Sequence, residues 1–202
     1  MTEPKKTNPT RKAAPRKTAR AKSAAPPGAD KTAPKNDAPD EGALKDRVLD
    51  AALPDAAFDG FSAGVLAKAE EAAGIDDATL ARLFPEGPLS LIAFYSERAD
   101  RRMEAAAADL TEDRLSRRVK AVIALRLTQN RPYKEAIRRA VGVLALPGHG
   151  RTALGCTART VDAIWHAAGD RSADFSWYTK RAILAAVYSA SLLFWLRDSS
   201  ED

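Results

Sequence analysis

A chain of 202 residues with a net charge of +5 and 29% charged side chains has room for one folded domain and a tail. The charge is uneven: residues 1–40 carry +6, residues 41–90 carry −6 and residues 91–202 carry +5, so the basic balance says little about the folded part. A single cysteine, Cys156, excludes an internal disulfide, and with only His149 and His166 beside it the chain is short of ligands for a zinc site. Cys156 is read as a small buried apolar residue rather than a nucleophile.

Residues 1–40 hold seven of the twelve prolines and no large apolar residue after Met1. Such a segment cannot bury enough surface to offset its ordering entropy, so a disordered basic tail is expected. It has no apolar run of the secretory kind, and its prolines oppose an amphipathic targeting helix. A solvated linker and an electrostatic tether to anionic lipid or nucleic acid are both open to it.

From residue 41 the apolar period is helical throughout and an all-α fold is expected. Leu44, Val48, Ala51 and Ala52 define a first helix ending near Pro54. Ser62 caps a second, carrying Val65, Leu66 and Ala69 and stopped by Gly74. Asp76 caps a short third helix with Leu80, Leu83 and Phe84, ended by Pro85. A longer fourth covers 89–110, and Thr111, followed by Glu112 and Asp113, opens a fifth with the stripe Leu115, Val119, Val122, Ile123 and Leu127. Pro132 begins a sixth that runs to Leu146 and stops at "PGHG". A seventh spans Thr152 to Ala168, and an eighth spans Asp174 to Arg197.

The eighth helix contains "AILAAVYSASLLFWL", fifteen uncharged residues covering roughly 22 Å, short of a bilayer core of roughly 30 Å. It reads as a central bundle helix or a dimer seam, and either can line a lipid cavity. Arg114, Arg117, Arg118, Lys120, Arg126, Arg131, Arg138 and Arg139 crowd the fifth and sixth helices, either as a solvated face or as a surface drawn to anionic headgroups.

The segment "RVLDAALPDAAFDGFSAGVLAKAEEAAGIDDATLARLFPEGPLSL" resembles the helix-turn-helix of TetR-type repressors in layout. A repressor needs cationic or amide side chains where its third helix meets DNA. This third helix opens with Asp76 and Asp77 in a segment of charge −6 and has Ala81 where that family usually carries tyrosine, so no DNA binding is expected. A ligand-responsive TetR-type regulator is the alternative, and a three-helix unit over 41–90 followed by a helical bundle over 91–202 is the expected organisation.

"LFPEGPLSLIAFYSERADRRM", "ALRLTQNRPY", "LALPGHG" and above all "TVDAIWHAAGDRSADFSWYTKRAILAAVYSASLLFWLRDSS" resemble the ubiquinone-biosynthesis accessory family called Coq nine, over residues 43–200. The resemblance implies a TetR-like homodimer that is not an enzyme. Such a protein binds isoprenoid quinone precursors or phospholipid, contacts the membrane peripherally and presents its ligand to the pathway's di-iron hydroxylase. It further implies a partner-docking patch at Ile164, Asp174, Trp177 and Tyr178. Packing of Trp177 and Tyr178 beneath the seventh helix is the competing reading, and Trp165 is assigned to the core. Trp177 and Arg181 stand four residues apart, a spacing that allows a cation–π contact.

The cavity is placed between the fourth and eighth helices, with Val141, Leu184, Val187 and Tyr188 as its lining by helical phase. No cofactor, catalytic set or metal-ligating set is expected. Asp162, His166 and Asp170, at i, i+4 and i+8 near Ser172 and Ser176, only mimic an acid–base relay. Longer members of the family continue into an amphipathic membrane helix; here either membrane contact is weaker, or the basic tail and the arginine face replace that helix. Bacterial cytoplasm against the inner membrane is the expected location, with the matrix side of the mitochondrial inner membrane as the alternative.

Overall fold

The structure, a computed structural model, describes residues 40–170 and 176–199; the expected tail over 1–39, and Asp174, lie outside the described residues. Eight α-helices and one short 3-10 turn make up the described part, and no strand occurs among the described residues. α1 (Glu41–Asp59) is capped by Asp40, whose carboxylate accepts the Gly42 amide at 3.0 Å. The helix runs on through Pro54 instead of ending there. An internal proline removes one helical hydrogen bond and crowds the preceding turn. Burial of Val48, Leu49 and Ala52 before it, and of Leu53 and Ala56 around it, holds both halves of α1 in one core and outweighs that local cost.

α2 (Ala63–Ala73) begins where Ser62 Oγ accepts the Val65 amide at 3.2 Å, and it ends at Gly74 in the left-handed region at φ 64°. α3 (Asp77–Leu83) is capped by Asp76, which accepts the Thr79 amide at 2.8 Å. Gly87, at φ 56°, makes the turn into α4 (Pro88–Ala107), with proline at its first position.

α5 (Leu115–Gln129) starts four residues later than Thr111, at an N-cap, Arg114, that makes no side-chain cap. Leu110 folds back onto the core and Arg118 takes its carbonyl, so residues 111–114 must bridge the gap as extended chain. That outweighs the small preference of acidic side chains for a first helical turn. Pro132 sits in a 3-10 turn (Arg131–Tyr133) ahead of α6 (Lys134–Leu144). α7 (Gly150–Ala167) and α8 (Ser176–Arg197) complete the bundle.

The buried side chains form two cores. The first joins α1, α2, α3 and the start of α4, through Leu91, Ile92, Phe94 and Tyr95, to α6 and to Leu196 of α8. The second joins the far half of α4, through Met103 and Ala107, to Val122, Val161, Ile164, Leu184 and Tyr188. α4 is thus a wall of both. α8 is not wrapped on all sides: Leu184, Tyr188 and Leu196 face inward while Ile183, Val187, Leu193 and Phe194 are exposed. Of the two expected placements, the central one is therefore corrected, because these four large apolar side chains are not covered by any of the described residues.

Candidate functional site

Two of the crowded arginines leave the surface. Arg118 donates through Nε to the Ala167 carbonyl at 3.2 Å, and through its two terminal nitrogens to Leu110 at 2.8 Å and Ala107 at 3.2 Å. One guanidinium thus closes the carboxyl ends of both α4 and α7, where carbonyls lack helical partners and the dipole favours a cation. Arg126 is 4% exposed and sits among α4, α5, α7 and α8. Its Nη2 lies 3.0 Å from the buried Asp100 carboxylate and donates to Thr160 Oγ1 at 3.3 Å, while Nε donates to the Tyr188 hydroxyl at 3.1 Å. Thr160 in turn donates to Asp100 at 3.1 Å. Burial raises the Asp100 carboxyl above its ordinary pKa, opposed by Arg126 and by the Thr160 hydrogen bond. Arginine does not lose its proton in proteins, so the buried pair is stable only with the carboxylate ionised opposite it.

This network borders a partly open cavity of about 300 Å³ lined by residues of α4 to α8, with Ile92, Ile137, Val141, Leu144 and Leu192 among its apolar walls. At another point of the lining, Tyr95 donates to Asn130 Oδ1 at 2.8 Å, and burial pushes the Tyr95 phenol well above its ordinary pKa. Cys156 lines the same cavity as a buried thiol, and burial raises its pKa too.

Of the four residues placed in the lining by helical phase, Val141 and Tyr188 border this cavity. Leu184 and Val187 do not. They line a second hollow of about 490 Å³ with Leu115, Val119, Ile123 and Trp165. α8 divides the two: Tyr188 sits with Ser189 and Leu192 on the first, and Leu184 and Val187 sit with Ile183 on the second.

Arg181 Nε pairs with Asp162 across α7 and α8, and its guanidinium lies 3.7 Å from the Trp177 ring centre. Trp177 meets Tyr178 edge to face at 4.8 Å. Tyr178 is 74% exposed and Trp177 is half-buried, so neither packs beneath α7 as a closed core residue. Ile164 is not part of that surface: at 0% exposure it belongs to the second core, because α7 turns the Ile164 side toward α4 and α5. Its contribution to this face is to hold α7 in place. Trp165, assigned to the core, is half-buried at the second hollow, and its indole nitrogen has no hydrogen-bond partner among the described residues. The imitation of a relay dissolves: Asp162 pairs with Arg181, His166 with Glu104 at 3.1 Å, and Asp170 with Lys180 at 3.8 Å.

Sequence reasoning missed Arg126, Asp100 and Thr160. The signal for Arg126 was present, since it stands four residues past Val122 and seven past Val119 on the apolar stripe of α5. In the three-helix unit, Asp76 and Asp77 open α3 in full exposure, and hydrogen bonds from Thr79 hold the Asp76 carboxyl below its ordinary pKa. Arg82, the basic residue of that helix, pairs with Glu41. Among the described residues no group of three His, Cys, Asp or Glu side chains could hold a metal ion, and no helix is long and apolar enough to cross a membrane.

Comparison with known proteins places these features in a family. The COQ9 family model matches residues 150–202, which include α7, α8 and the aromatic face. The chain is 34% identical over 154 residues, 76% of its length, to the ubiquinone biosynthesis protein coq9, mitochondrial, of Schizosaccharomyces pombe. It is 31% identical over 176 residues, 83% of its length, to the human protein of that name and 32% identical over 182 residues, 86%, to that of Drosophila melanogaster. The chain spans 61%, 55% and 55% of those three curated relatives, respectively. With the all-α layout of a helix-turn-helix-like unit followed by a bundle, the chain belongs, over these residues, to the COQ9 family.

Proposed function

We propose that the chain acts in ubiquinone biosynthesis as a non-catalytic accessory protein. It binds an isoprenoid quinone intermediate in the cavity between α4 and α8 and presents it to the pathway's di-iron hydroxylase. The observation carrying this reading is the cavity of about 300 Å³, walled by aliphatic side chains and with a polar corner at Arg126 and Tyr188. A concave, mostly apolar site with few polar groups suits a small lipidic ligand. The relatives' names add the pathway, and they name those proteins as mitochondrial.

The partner surface in this reading is Trp177 and Tyr178, with Asp174 of the same segment outside the described residues. Exposed aromatics braced by a charged neighbour are what a binding hot spot requires. The exposed apolar row of α8 is the homodimer seam, and the protein works peripherally at a membrane: the cytoplasmic face in a bacterium or the matrix face in a mitochondrion. The basic segment 1–40 adds electrostatic attraction to anionic lipid, so removing it lowers liposome binding, most visibly at low salt. Organic extraction and mass spectrometry of protein purified gently from its host tests the carrier role. Enriched polyprenylated quinone precursors are expected, and empty protein or bulk phospholipid alone overturns it.

A further inference from the structure

The polar corner of the cavity holds more donors than the protein satisfies. Arg126 brings five N–H protons into a site where it is 4% exposed. Nε is spent on Tyr188, and Nη2 on Asp100 and Thr160. Nη1 is buried with no hydrogen-bond acceptor among the described residues, on a side chain that lines the cavity. Leaving a charged buried donor unmade is costly, and native structures do so where something else supplies the acceptor. The Tyr188 oxygen accepts from Arg126, which leaves its own proton to donate.

Charge decides what that acceptor is. Asp100, 3% exposed, already balances Arg126 at 3.0 Å. Arg159 also approaches Asp100, at 3.8 Å, but its side chain is 40% exposed and its charge is shared with solvent. A second full anion in this corner would bury an unbalanced charge, whereas an uncharged oxygen uses the spare donors and leaves the balance intact. At the other polar point of the lining, the Tyr95 proton is already spent on Asn130 Oδ1.

Resting on the carrier reading above, we infer that the Arg126–Tyr188 corner recognises one uncharged oxygen acceptor, such as a ring carbonyl or a phenolic or ether oxygen, at the head of an otherwise apolar molecule. Arg126 and Tyr188 then set which lipids the cavity accepts, and Asp100 and Thr160 position the guanidinium.

The test is equilibrium binding to the full chain of three probes sharing one three-isoprene chain, headed by a benzoquinone, a benzene or a carboxylate. The quinone is expected to bind at least ~10-fold tighter than the benzene analogue, with the carboxylate no tighter than the quinone. Arg126→Lys keeps a cation opposite Asp100 but removes the fork, and should cut the quinone-to-benzene ratio to about twofold or less. Tyr188→Phe removes only the hydroxyl and should lower the ratio by about threefold, which decides the matter alone if the lysine variant does not fold. Quinone and benzene within twofold of each other in the wild type, an unchanged ratio in the variants, or a preference for the carboxylate overturns the inference while leaving the carrier reading standing. If no probe binds, the carrier reading itself fails, and the inference with it.

Discussion

Replacing Arg118 by alanine removes three hydrogen bonds at once, to Ala107, Leu110 and Ala167, at 3.2, 2.8 and 3.2 Å. A charged donor on a carbonyl contributes about 1.5 kcal/mol in a protected site, and the half-buried position of Arg118 reduces this to about 1 kcal/mol each. Water can reach some of the freed carbonyls, so the total loss is about 2–3 kcal/mol, or roughly 5–10 °C in Tm for a domain of this size. Arg118→Lys keeps the charge but reaches one carbonyl instead of three, and recovers about 1 kcal/mol. Urea unfolding of the three proteins measures this directly, with the midpoint falling and the slope unchanged. A loss below about 0.5 kcal/mol for alanine, or full recovery with lysine, would show that Arg118 contributes only as a surface charge.

Trp177→Ala should abolish most hydroxylase association in a pull-down while moving stability by no more than about 1 kcal/mol, because the ring is half exposed; an unfolded variant would assign Trp177 to the core. Phe194→Asp places a charge on a position that is 73% exposed, so analytical ultracentrifugation should show monomers with unchanged helicity. A dimer that persists would rule out the α8 seam. Cys156 should alkylate at least ~10-fold more slowly in native protein than in urea at pH 8, since burial holds its pKa above the unfolded value. Because the folded pKa is the higher one, the thiol's contribution to stability is whole below its unfolded pKa and is lost as pH rises from there through the folded pKa. A gel shift at low salt should find no DNA bound, given the acidic start of α3.

What the sequence disclosed was chemistry that acts over a few residues. Ser62 and Asp76 cap α2 and α3 as read because a hydroxyl or carboxylate satisfies an amide three positions on, wherever the helix sits. The Trp177–Arg181 stack follows from a one-turn spacing. Pro54 misled because its local cost is outweighed by Leu53 and Ala56, whose partners lie on other helices. Thr111 misled because Leu110 is drawn into a core most of whose members, Val122, Val161, Ile164 and Leu184 among them, lie far along the chain. Helical phase found Tyr188 but could not separate it from Val187, since which side of α8 holds which hollow depends on α5, α6 and α7. Arg126 looked like one more solvated cation because Asp100, its counter-ion, stands 26 positions earlier and on another helix.

The double membership of α4 has a consequence for how this fold can be altered. A twenty-residue helix is a rod of about 30 Å, and here its opening turns are cemented into the helix-turn-helix-like unit while Asp100 and Met103, farther along, face the bundle. The unit that would grip DNA in a repressor is therefore a foundation in this protein, fixing the tilt of the beam that walls the cavity. Cutting the chain at residue 90 would not free an intact bundle. It would strip the footing from Leu91, Ile92, Phe94 and Tyr95 and leave the chamber with a loose wall.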